Sequence, residues 1–181
     1  ALNLKGRIRL WCNKLESVME MSQAMMNLVK QHVECDDQLN RVEAALHKAD
    51  MASAGRNFRL FDEQLEHHFH LEEERLFPAF EKATGMTNGP TMVMRGEHAE
   101  IRQLRDQAMA QIDSKEIAAA LATIDTLNVL IQQHNVKEEN ILYPMCGGSI
   151  PNLASLLGMG GCGGACSCAG TGESTNAKAV T

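Results

Sequence analysis

Apolar residues recur along this chain in alternating steps of three and four. Val18, Met21, Met25, Leu28, His32, Cys35, Leu39, Val42 and Leu46 trace one stripe. That spacing gathers side chains on one face of a helix and buries them against neighbouring helices. The stretch Asp50 to Gly55 interrupts the pattern, with Ser53 a candidate N-cap. A second stripe carries Phe58, Phe61, Leu65, His68, Glu72, Leu76 and Ala79 inward. Thr84 to Pro90 is turn chemistry, and Pro90 suits a first helical turn. A third stripe follows through Met94, His98, Ile101, Leu104, Ala108 and Ile112. Asp113 followed by Glu116 reads as a variant capping box. The fourth stripe holds Ile117, Ala120, Ile124, Leu127, Ile131, His134, Glu138, Ile141 and Met145. Short connections between long helices imply antiparallel neighbours, so residues 1–146 are expected to form an all-α, up-down-up-down four-helix bundle. Nine of the 14 glycines lie beyond Cys146. Residues 147–181 are therefore expected to be a Gly/Cys-rich tail, largely disordered, with Ile150 to Leu157 able to form a short helix.

Composition narrows the classes. The chain has 181 residues, with 17 Lys+Arg against 23 Asp+Glu and a net charge of -6. With no basic block, nucleic acid is not an expected partner. No apolar run approaches the ~20 residues that span a bilayer, and the first residues lack the apolar stretch of a secretory signal. The cysteines do not spread as a disulfide scaffold: Cys12 and Cys35 fall in helical sequence, and the other four lie at or beyond Cys146. This points to a reducing cytoplasm.

The chemistry shows in what interrupts the stripes. His32, His68, Glu72, His98, His134 and Glu138 occupy inward positions that an ordinary bundle fills with apolar residues. A buried carboxylate costs several kcal/mol unless it is paired or holds a metal. The second and fourth helices each supply a His and a Glu one turn apart, and the first and third each supply a His. The two pairs also sit in matching text. His68-x3-Glu72-Glu73 runs on to Leu76-Phe77-Pro78, and His134-x3-Glu138-Glu139 runs on to Leu142-Tyr143-Pro144. Each Pro lies where it is expected to end or kink the helix beyond the ligand turn.

With these motifs the sequence resembles the hemerythrin superfamily, in its HHE cation-binding branch, from about Ser17 to Met145. The resemblance implies two iron ions bridged by Glu72 and Glu138, with His32, His68, His98 and His134 as the other ligands. Imidazole and carboxylate donors also suit manganese or zinc. It further implies a small ligand (oxygen, nitric oxide or peroxide) that the protein binds or senses. The alternative is iron storage or donation, including repair of iron–sulfur centres. Oxygen-carrying hemerythrins have a second His one turn after the first on the third helix. Here that position is Arg102, which cannot ligate a cation.

Other residues attract blander readings. His67 and His70 point at least a quarter-turn from His68, and His47 lies turns beyond His32, so all three are expected outside the site. The methionines of the first helix read as core filler. Cys162, Cys166 and Cys168, with Cys146 upstream, match neither a zinc nor a thioredoxin spacing. Thiolates so placed can still bind a soft metal, exchange disulfides or react with oxidants, so a functional and an inert tail both stay open.

Overall fold

The computed structural model describes residues 4–158, with side chains described from residue 23 onward. Cys12, Val18, Met19 and Met21 are thus outside the described side chains, and Cys162, Cys166 and Cys168 outside the described residues. The described chain is helical, with no strand. Its elements are α1 (Leu4–His47), α2 (Met51–Leu71), α3 (Phe77–Thr84), α4 (Pro90–Asp113), α5 (Ile117–Lys137), α6 (Tyr143–Ser149) and α7 (Leu153–Leu156). Helix α1 packs on α2 and α4 on α5, and the two hairpins meet through α1 with α5 and α2 with α4. The result is a helical bundle. No described helix is long and apolar enough to cross a membrane.

The hairpin turns are alike. Ala49 and Lys115 take positive φ, 53° and 61°. Each is followed by a residue whose N–H reaches back five positions, from Asp50 to Ala45 and from Glu116 to Gln111. These are helix ends of the Schellman type. They correct two cap assignments. Asp50, not Ser53, caps α2, its carboxylate accepting the Ser53 N–H at 3.0 Å. Asp113 is the last residue of α4, and Glu116 precedes α5 without a side-chain cap bond. Pro90 opens α4 as expected.

Neither Pro78 nor Pro144 ends a helix. Each follows a π-helical turn, Glu72–Leu76 and Glu138–Leu142, after which α-helix resumes. Within each turn a backbone N–H skips to the carbonyl five residues back, from Phe77 to Glu72 and from Tyr143 to Glu138. A proline lacks the N–H for the next ladder bond and crowds the carbonyl four residues before it, and the wide turn provides that room. The extra residue also rotates everything downstream. Ile141, expected inside, is 54% exposed, while Leu142, Tyr143 and Cys146 are buried. Likewise Phe77 and Phe80 are buried and Ala79 is only half-buried.

Two apolar clusters result. One gathers Cys35, Leu39, Phe58, Phe61, Leu65, Phe69, Ile101, Ile124 and Ile131. The other gathers Leu28, Leu76, Phe77, Phe80, Met94, Leu142, Tyr143 and Cys146, together with Ile150, Leu153, Ala154 and Leu157. Packing therefore continues past residue 146, where the change of composition had placed the boundary, as far as Leu157. On α1, α4 and α5 the polar interruptions fall between residues of the two clusters, and His68 and Glu72, which follow Leu65, flank the changeover from Phe69 to Leu71.

Candidate metal centre

His32, His68, Glu72, His98, His134 and Glu138 all meet in that gap, and each is at most 4% exposed. Their ligand-type atoms form two groups: Glu72, His98, His134 and Glu138, and His32, His68 and Glu138. The imidazole Nε2 atoms face one another in pairs at 3.1 Å, His32 with His68 and His98 with His134. Glu138 spans the groups, Oε2 lying 3.2 Å from His32 Nε2 and Oε1 3.1 Å from His134 Nε2. Glu72 Oε2 lies 3.4 Å from His98 Nε2 and 3.5 Å from His68 Nε2.

The outer nitrogens fix the tautomers. Each Nδ1 faces an oxygen acceptor: Glu139 for His32 and Gln31 for His68, both at 2.8 Å, Glu73 for His98 at 2.7 Å, and Glu97 for His134 at 3.0 Å. In the neutral imidazoles these contacts place the proton on Nδ1, which leaves each Nε2 lone pair aimed inward, the arrangement of metal-binding histidines. Glu72 Oε2 and Glu138 Oε1 are buried with no hydrogen bond. Electron pairs thus converge with too few protons between them, and a cation satisfies that geometry where a packed core does not. The donor set fits a metal pair.

The same crowding shows in the ionisation of the metal-free cluster. Burial opposes charge on His134, but Glu138, Glu72 and Glu97 outweigh it and raise its pKa to about 9. His32 is raised in the same way by Glu138 and Glu139 against its burial. His68 is lowered, chiefly by burial. Burial and the charge of Glu138 push Glu72 up, whereas His134, His32 and His68 overcome burial and hold Glu138 well below the usual carboxylate range.

The orienting residues Gln31, Glu73, Glu97 and Glu139 were not foreseen as a set, although each adjoins a candidate ligand in sequence. Their placement follows a repeat. His98, His134, Glu138, Glu139 and Glu97 each lie 66 positions after His32, His68, Glu72, Glu73 and Gln31. The geometry repeats too: both histidine pairs have ring centroids 4.7 Å apart. Arg102 does not enter the cluster. Its guanidinium lies 5.1 Å over the Phe69 ring and pairs with Glu66 and with Glu73, the residue that holds His98. Glu97 is shared between His134 and Lys137. His47, His67 and His70 are exposed, outside the site.

Tyr143 adds a donor that the sequence pattern showed only as an aromatic. Its hydroxyl donates to Glu72 Oε1 at 2.8 Å and also lies 3.1 Å from Glu138 Oε2 and 3.2 Å from His32 Nε2. Burial and the two carboxylates push its phenol well above the ordinary pKa.

A family model described as the Hemerythrin HHE cation binding domain matches residues 25–146. No curated protein and no solved structure matches the chain. The matched segment contains α2, α4 and α5 whole, α1 from Met25 onward, and every member of the buried His/Glu cluster. The chain belongs to the hemerythrin family, and its HHE domain is the bundle that carries this cluster.

Proposed function

We propose that the protein is a non-haem di-iron protein that binds or senses a small ligand such as oxygen, nitric oxide or peroxide. In this reading an up-down-up-down four-helix bundle would hold one iron ion among His32, His68 and Glu138 and the other among Glu72, His98, His134 and Glu138. The observation that carries it is the convergence of four inward Nε2 lone pairs and two buried carboxylates, with orphaned oxygens on Glu72 and Glu138. When bound, a ferrous pair supplies electrons and open coordination for ligands of this kind.

What the chain itself contributes is orientation and exclusion. Glu73, Glu97, Glu139 and Gln31 hold the imidazoles in one tautomer and one rotation. Phe69 stacks on His98 with ring centroids 3.7 Å apart and keeps water from that side. Next to the cluster lies a space of about 10 Å³ lined by Cys35, Leu65, Phe69, Ile131, Asn135 and three of the histidines. That is near the lower limit for a single water. It has no room for an organic substrate. Cys35 and Cys146 are buried free thiols, one in each apolar cluster.

The test is metal content per chain together with absorption spectra of the reduced protein before and after oxygen or nitric oxide. Two irons per chain and a ligand-dependent spectrum are expected. Protein purified with iron available that holds no iron would sink the reading. Iron that leaves readily to an acceptor, with no spectral response to either gas, would favour iron donation instead.

A further inference from the structure

We infer that Tyr143 is a seventh metal ligand, coordinating through its phenolic oxygen the ion held by His32 and His68, so that the two metal positions differ. The inference rests on the di-iron reading above and extends it.

Geometry carries it. Ligand atoms bound at ~2.0–2.2 Å lie about 3 Å from their neighbours when bonds meet near right angles. The donors of the cluster show that spacing, 3.1 Å between paired Nε2 atoms and 3.2 Å from His32 Nε2 to Glu138 Oε2. The Tyr143 oxygen shows it too, at 2.8, 3.1 and 3.2 Å from Glu72 Oε1, Glu138 Oε2 and His32 Nε2. A phenol has one proton and can satisfy one of these three acceptors at a time. The other two contacts set electron pairs against electron pairs, as at the Nε2 pairs.

The repeat then shows that packing does not require this hydroxyl. Phe77 lies 66 positions before Tyr143. It stacks on His98 with centroids 5.7 Å apart at 26°, and Tyr143 stacks on His32 at 5.9 Å and 21°. The two rings fill matching places in the two hairpins. In the hairpin with Phe77 a plain phenyl is enough, so the oxygen of Tyr143 is an added donor on one side alone. On binding, the proton that Tyr143 now gives to Glu72 is released to solvent, and the cation takes its place between the same atoms.

Tyr143 is the chain's single tyrosine, so a tyrosinate signal has no other source. The experiment loads the full chain with iron, oxidises it in air, and records iron per chain, visible absorption and resonance Raman spectra. A phenolate-to-iron charge-transfer band with tyrosinate ring modes is expected. In Tyr143→Phe the band should vanish and iron should be held less tightly, while the far-ultraviolet circular dichroism is retained, since Phe77 shows that a phenyl fits. Two irons bound in the unaltered protein without tyrosinate modes would overturn the inference and leave the di-iron reading intact. Failure to bind iron at all would strike the di-iron reading instead.

Discussion

Chelating the metal from loaded protein should lower its melting temperature by on the order of 10 °C. The magnitude comes from two atoms. Glu72 Oε2 and Glu138 Oε1 are buried and make no hydrogen bond. At a pH where the imidazoles are neutral, each such orphaned acceptor costs roughly 1–3 kcal/mol, so the pair costs about 4 kcal/mol when no cation is present. For a domain of this size each kcal/mol moves the midpoint by roughly 2–4 °C, which gives about 12 °C. The assay is thermal unfolding followed by far-ultraviolet circular dichroism, with metal held at a fixed excess or removed by chelator, because the shift grows with free metal. Glu72→Gln is the control. The amide keeps the volume and removes a buried charge, so the metal-free variant should melt no lower than metal-free wild type and gain less from added metal. Coincident melting curves for loaded and chelated protein would refute the reasoning, because burying these carboxylates would then carry no penalty for metal to relieve.

Other outcomes follow from single features. Ending the chain after Cys146 removes Ile150, Leu153 and Leu157 from the core; at roughly 1.5–3 kcal/mol for each, the loss should exceed about 4 kcal/mol in urea titrations, whereas ending it after Gly158 should change little. Metal affinity should fall as pH drops below about 9, since ligand imidazoles must be neutral and His134 and His32 hold protons above the ordinary histidine range. Calorimetry in buffers of different ionisation enthalpy should show the released protons, and an affinity that does not change between pH 9 and pH 6 would contradict this. Burial pushes the thiols of Cys35 and Cys146 up to about 12, so in folded protein both should resist alkylation that proceeds quickly after unfolding, as peptide mass mapping would show. Replacing Arg102 with Ala frees Glu73 from its partner; it should weaken metal retention at the His98 position without unfolding the bundle, read by metal stoichiometry and circular dichroism.

The stripes made the helices and the six clustered residues legible because burial on a helix face has a fixed period, and a polar residue on that face stands out. Legibility ended where the period changed. At Glu138–Leu142 one added residue per turn turns Ile141 outward and Tyr143 inward, and hydrophobicity alone does not register the slip. The turns were misread at Ser53 and Asp113 for a related reason. A cap depends on which residue adopts the left-handed conformation, and here those residues are Ala49 and Lys115 rather than glycines. Glu73, Glu97, Glu139 and Gln31 were present in the sequence as ordinary polar neighbours. Only the rotation of each helix shows that they face the outer nitrogens of the opposite hairpin partner's imidazole or of their own.

The 66-residue repeat gives the cluster a twofold pseudo-symmetry. The His32–His68 group includes Glu138 from the other hairpin, so a lone hairpin of this kind does not complete it. Two identical hairpins related by a twofold axis would. Within a single chain the two halves need not be identical, and Tyr143 opposite Phe77 and Asn135 opposite Phe69 are differences that a symmetric pair of identical chains could not hold.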